Sequence, residues 1–135
     1  MRHVPGGQFT DRLFSGALAA EPLEIDGPHG NFWLRDGKGP IICIAGGSGL
    51  APILALLQDA ANRRVRRDVV LLFGGRGARD LYGADAISAI RNAWTASFDF
   101  WPVLSEEQNS DYRHGFVTAF IPQALDRLGP GAQGY

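Results

Sequence analysis

An unbroken apolar run, Ile41-Ile42-Cys43-Ile44-Ala45, enters the turn Gly46-Gly47-Ser48-Gly49-Leu50-Ala51-Pro52, and a helix-competent segment, 53–61, follows at once. No other stretch constrains the fold as strongly. A strand that is apolar at every position is buried on both faces, which is the condition of a parallel sheet covered by helices. The glycine turn then sets bare backbone amides and a helix N-terminus beside an open loop, which is how a protein holds a diphosphate. The pattern implies a dinucleotide and names neither which one nor a reaction.

The rest of the chain repeats the theme. Residues 68–73 read as a second buried strand, 83–93 as a second helix, and 98–104 as a third strand. Residues 116–128 read as a helical stretch broken by Pro122, and Gln133-Gly134-Tyr135 opens a fourth strand. Strand–helix alternation with glycine turns predicts an α/β fold, a three-layer parallel sheet with ligands at the carboxyl ends of its strands. Residues 1–36 differ. Residues 9–18 suit a short helix capped by Thr10 or Asp11, Leu23-Glu24-Ile25-Asp26 alternates like a half-buried strand, and Phe32-Trp33-Leu34 reads as a second one. Asp36-Gly37-Lys38-Gly39-Pro40 is the expected joint, so the chain divides into 1–36 and 41–135.

Bulk properties narrow the function classes. With 45% hydrophobic residues and a net charge of −1, the chain supports a packed core and lacks the basic footprint of a nucleic-acid binder. Cys43 is the single cysteine, which excludes internal disulfides and cysteine-based metal clusters and suits a reducing, cytoplasmic setting. His3, His29 and His114 are scattered without metal-site spacing. No apolar stretch is long enough to span a bilayer, and the first residues have no signal-peptide core.

Several motifs admit two readings. Gly47-Ser48-Gly49-Leu50-Ala51-Pro52 departs from G-x-G-x-x-G at its last position, where proline fixes a helix start, and a ligand-free tight turn is the bland alternative. Ser48 resembles the serine of a nucleophile elbow, with Asp99 and His114 to complete a hydrolase triad, although Leu50 stands where that elbow needs glycine. Gly7-Gln8-Phe9-Thr10 is either a second phosphate site or an ordinary helix start. After the second strand come Arg76 and Arg79, which suit a 2′-phosphate, and Asp80, which suits a free 2′-hydroxyl, so NADH and NADPH both stay open. Arg63-Arg64-Val65-Arg66-Arg67 reads as the solvated end of a helix, with docking of an acidic electron-transfer partner as the alternative.

Together these blocks resemble the ferredoxin–NADP⁺ reductase family, above all the reductase components of bacterial multicomponent oxygenases. Val4-Pro5-Gly6-Gly7-Gln8-Phe9-Thr10 is similar to the family's segment at the flavin diphosphate, with Gly7 and Thr10 in its G-x-x-S/T pattern. Gly27-Pro28-His29-Gly30-Asn31-Phe32 resembles the end of its flavin domain, with His29 in place of the usual Tyr or Phe. Ala45-Gly46-Gly47-Ser48-Gly49-Leu50-Ala51-Pro52 matches its Gly-Gly-Thr/Ser-Gly-x-Ala-Pro loop. Phe73-Gly74-Gly75-Arg76 with Asp80-Leu81-Tyr82 matches its adenosine-side loop, and Pro102-Val103-Leu104-Ser105 the end of its third strand.

The resemblance implies a flavoprotein oxidoreductase that passes electrons from NADH or NADPH through FAD to a ferredoxin, iron–sulfur or oxygenase partner. It implies cofactor contacts at Gly7, Thr10, Gly46, Gly47, Ser48, Gly49, Pro52, Arg76 and Ser105, and no residue acting as acid, base or nucleophile. The family's Arg-x-Tyr-Ser/Thr and Cys-Gly-Pro motifs are not in the sequence. The chain is therefore expected to be a fragment: the end of a β-barrel FAD domain over 1–36, and an NAD(P)-binding domain over 41–135 lacking its last strands. The alternative for the chain as it stands is a non-catalytic nucleotide-binding piece, prone to pair with another copy through an open sheet edge.

Overall fold

Five parallel strands, β1 (Ile41–Gly46), β2 (Val69–Gly75), β3 (Phe98–Leu104), β4 (Arg113–His114) and β5 (Gln133–Gly134), form one sheet in the computed structural model. Their order is β4-β3-β2-β1-β5. The chain builds outward from β1 to β4 and then returns to the free side of β1, so the order reverses between β1 and β5. In open parallel sheets, that reversal is where a crevice opens beyond the carboxyl ends of the strands.

The structure describes residues 3–27 and 29–135, and the chain divides into two compact units, Met1–Asn31 and Phe32–Tyr135. In the second unit the apolar run alternates between two cores. Ile41, Cys43 and Ala45 of β1 and Val69, Leu71 and Phe73 of β2 pack with helices α2 (Leu50–Asn62) and α3 (Ala84–Ala93). Ile42, Val70 and Leu72 pack on the other face with Ala124 of α4 (Ile121–Leu128). Burying each such aliphatic side chain stabilises the fold by roughly 1.5–3 kcal/mol, so the two faces together hold the three layers. Among the described residues, no helix is long and apolar enough to cross a membrane.

The third strand forms as expected, and the first two within a residue or two. α2 starts at Leu50, behind a 3-10 turn over Gly47–Gly49, rather than at Pro52. Pro122 does not break the last helix: it stands in the first turn of α4, where its missing N–H has no intrahelical acceptor to lose. The preceding Val117–Phe120 is a separate 3-10 turn.

Other expectations are corrected. Neither Leu23-Glu24-Ile25-Asp26 nor Phe32-Trp33-Leu34 forms a strand. Alternation alone does not make a strand; a ladder partner does, and among the described residues these segments have none. Ile25 is consequently 88% exposed. In the first unit, helix α1 is short (Gln8–Phe14) and begins at Gly7 with no side-chain cap, so neither Thr10 nor Asp11 caps it. The motif at 27–32 is described except for Pro28, which lies outside the described residues.

The arginine run is also not wholly a solvated helix end. Arg67 is 6% exposed. Its guanidinium donates to the carbonyls of Gly39 and Arg35 (3.3 Å) and to Oε1 of Gln133 (2.7 Å). Gln133 in turn donates to the Asp36 carbonyl, and Trp94 Nε1 donates to the Arg67 carbonyl (2.9 Å). One buried cation thus ties the 35–39 segment, β2 and β5 together. Leu34, 3% exposed, joins the core of the sheet.

Candidate functional site

Because the strands are parallel, their carboxyl ends share one rim. Register places Gly46 of β1 beside Gly74 of β2, and Gly74 beside Val103 of β3. The backbone continues the rim beyond the strands, where the Ser105 amide donates to the Gly75 carbonyl (2.9 Å). Gly46 ends β1, Gly47, Ser48 and Gly49 form the turn after it, Pro52 stands in the first turn of α2, and Arg76 and Ser105 directly follow β2 and β3.

Two glycines of the turn after β1 are not needed by the protein's own packing, unlike Gly74 and Gly75 at the end of β2, where a Cβ would press on Val117 and Leu81. A Cβ placed on Gly46 or Gly49 would meet no atom within 4 Å, and both residues adopt backbone conformations open to any side chain. Only Gly47, at φ +52°, requires glycine for its backbone. The missing side chains leave open space around the glycine turn that leads into α2. The leading amides of the 3-10 turn have no acceptor within it, whereas the Leu50 amide donates back to the Gly47 and Ser48 carbonyls and Pro52 has no amide. α2 has no side-chain cap and no acidic residue in its first turn, and the same holds for the 3-10 turn before it. An uncapped helix start behind a bare glycine rim fits a diphosphate, with Ser48 exposed on the same turn.

Sequence reasoning missed the brace behind this loop. Tyr82 donates its hydroxyl to the Gly47 carbonyl (3.0 Å) and sets its ring edge-on to Phe73, with centroids 5.6 Å apart. Tyr82 was legible as part of a motif; its role needed the fold, because its partner is 35 residues away.

The next corner of the rim is the loop after β2. The Gly77 amide donates to Asp80 Oδ2 (3.2 Å), and the Ala78 amide donates to Glu107 Oε2 (2.8 Å) from the loop after β3. Arg76 is exposed, with its Nε 4.0 Å from Asp80 Oδ2. The Gly77 amide holds the Asp80 carboxyl below its ordinary value, and the charges of Arg76 and Arg79 add to this against partial desolvation.

The remaining predicted residues, Gly7 and Thr10, belong to the first unit. Thr10 Oγ1 donates to the Val4 carbonyl (2.9 Å) and accepts from the Val4 amide (3.2 Å). A Cβ on Gly7 would lie 2.5 Å from that hydroxyl. Both residues are thus accounted for by a local turn, and the Thr10 hydroxyl is already engaged.

The hydrolase triad does not assemble. Asp99 is the second residue of β3, at the opposite end from the rim, and is paired with Arg127 Nε at 3.0 Å. His114 lies on β4, three strands from β1, roughly 14 Å across the sheet, with Nδ1 3.3 Å from the Glu107 carbonyl. Cys43 is fully buried and burial pushes its thiol up to about 12, so it is neither nucleophile nor ligand.

Comparison with known proteins agrees with this geometry. A family model described as the oxidoreductase NAD-binding domain matches residues 43–133. The chain is 39% identical to the xylene/toluene monooxygenase electron transfer component XylA of Pseudomonas putida, a match that takes in 100% of the chain and 39% of that protein. It is 42% identical to the reductase subunit of an aromatic O-demethylase from an Amycolatopsis species, over 90% of the chain and 38% of that protein. The chain therefore spans about two-fifths of the length of these curated relatives. Among solved structures, the Amycolatopsis cytochrome P450 reductase GcoB superposes with a TM-score of 0.71 at 36% identity, covering 99% of the chain and 41% of that protein. The ferredoxin reductase of carbazole 1,9a-dioxygenase, at 24% identity, shares the fold with a TM-score of 0.72 over 100% of the chain and 40% of its own. With the glycine rim, the uncapped helix start and the family match all falling on the same sheet, the chain belongs to the oxidoreductase NAD-binding domains of the ferredoxin reductase family.

Proposed function

We propose that the sheet unit binds a nicotinamide dinucleotide along its rim. Gly46, Gly47, Ser48 and Gly49 hold the diphosphate, Pro52 fixes the helix start behind it, Arg76 meets the adenosine side, and Ser105 lies toward the nicotinamide. The observation that carries this reading is the pair Gly46 and Gly49, glycines that neither backbone conformation nor neighbouring atoms require.

The residues 41–135 then act as the NAD(P)-binding domain of a reductase, with 1–36 as the end of its FAD-binding domain and Gly7 and Thr10 at the flavin. The flavin part rests on the family, since the Thr10 hydroxyl is already engaged with Val4. When bound, reduced nicotinamide supplies a hydride that a flavin divides into single electrons for a ferredoxin, iron–sulfur or oxygenase partner in the cytoplasm. This chain's own residues bind and orient; none moves a proton. Spanning 39% of XylA, the chain alone is a nucleotide-binding piece with little dye-reducing activity. Pairing of copies through the β5 edge would be weak, because that edge offers two residues of template.

The test is calorimetric titration of the chain with ADP-ribose. Gly49→Ala fits the native backbone, so its stability should hold or rise by about 0.4–1 kcal/mol, while ADP-ribose affinity should fall about tenfold or more. Unchanged affinity in Gly49→Ala, or no binding by the parent chain, would sink the reading.

A further inference from the structure

The loop after β2 carries two features of opposite sign. Arg76 and Arg79 are exposed cations that would attract a phosphate at the adenosine ribose. Against them stand the carboxylates of Asp80 and Glu107, both held on amides of the same loop. Net charge alone decides little between exposed groups. The hydrogen-bond donors decide more.

A 2′-phosphate needs N–H donors, which arginine side chains and open backbone amides can both supply. Here two consecutive amides are taken. Gly77 donates to Asp80 Oδ2 at 3.2 Å, and Ala78 donates to Glu107 Oε2 at 2.8 Å. Glu107 is held in place by its own backbone: the amides of Glu106 and Glu107 both donate to the Arg76 carbonyl, at 3.0 and 3.1 Å. The carboxylate lies so close to the chain that a Cβ on Gly77 would come within 2.7 Å of Oε2. Each bond joins an amide to an ionised acceptor, the stronger kind of hydrogen bond. A 2′-phosphate would have to displace a carboxylate to reach these amides and would face the other at close range. A 2′-hydroxyl can instead donate its proton to the free lone pairs of either carboxylate.

We propose that Glu107 and Asp80 make this corner select a dinucleotide whose adenosine ribose has a free 2′-hydroxyl, so that the protein prefers NADH to NADPH. Glu107 belongs to a different loop from the β2 tip and is placed there by the sheet. The inference rests on the dinucleotide reading above.

The probes are ADP-ribose and 2′-phospho-ADP-ribose, titrated separately into the full chain at low and high salt. At low salt ADP-ribose should bind at least about tenfold more tightly, a difference of about 1.4 kcal/mol. The ratio should shrink as salt screens the carboxylates. Glu107→Gln keeps an acceptor for Ala78 and removes the charge, so its ratio should move toward one; Asp80→Asn should act in the same direction. Equal binding of the two probes, a preference for the phosphorylated one, or a ratio unmoved by both substitutions overturns the proposal. If neither variant folds, the salt dependence of the parent chain's ratio decides it. Binding of neither probe overturns the dinucleotide reading itself, and the selectivity with it.

Discussion

Cys43 stands in the middle of β1 with no exposed surface, and burial raises its thiol from an ordinary 9.0 to about 12. Between those values the folded chain holds a proton that the unfolded chain releases. Folding stability from this residue is therefore complete below about pH 9 and is lost as pH rises toward 12, at roughly 1.4 kcal/mol per unit. Urea unfolding should show the parent chain losing about 1–1.5 kcal/mol more than Cys43→Ala between pH 8 and pH 10. Parallel pH profiles of the two proteins would refute the assignment. Arg67 makes a contrasting case: a buried charge whose donors meet three neutral acceptors rather than a carboxylate. The sequence shows it only as the last of four arginines, because its acceptors, Arg35, Gly39 and Gln133, come from distant parts of the chain.

At the level of elements, α4 depends on a small residue. Ala124 is fully buried and faces Ile42, Val70 and Leu72, where the helix approaches the sheet. Ala124→Leu should overpack this layer and destabilise the protein by about 1–3 kcal/mol, measured as a lower urea midpoint with unchanged slope. Dinucleotide binding, on the rim, should survive at low denaturant.

The elements also show what periodicity can carry. β3 was legible from end to end because aromatic and aliphatic residues dominate it despite Asp99 and Pro102. β4 was not: Arg113-His114 is a strand only because Val103 and Leu104 of β3 pair with it. The strands read at 23–26 and 32–34 failed for the converse reason, having no ladder partner among the described residues. Within the site, the glycine turn and Arg76 could be read locally. Tyr82 and Glu107 act across loops, and only the parallel register brings them to the rim.

For the molecule as a whole, the second unit starts at Phe32, ahead of the polar 36–40 stretch. Leu34 fills the sheet's core, and the carbonyls of Arg35 and Gly39 satisfy Arg67. A chain of residues 32–135 should keep a cooperative unfolding transition. One of residues 41–135 should lose about 3–5 kcal/mol or fail to fold, because it opens a leucine-sized void and leaves a buried guanidinium short of acceptors. Equal stability of the two truncations would show that 32–40 is only a tether.

The reversal of strand order beside β1 also has a temporal meaning. β5 pairs Gln133 with Ile41 at the start of β1, the end of the sheet away from the glycine rim, and the Tyr135 amide donates to the Ile42 carbonyl at 3.0 Å. During synthesis, β1, β2 and β3 can pair while this last strand is still untranslated. The glycine rim, carried by β1, β2 and β3, can thus take shape before β5 docks at the far end of the sheet.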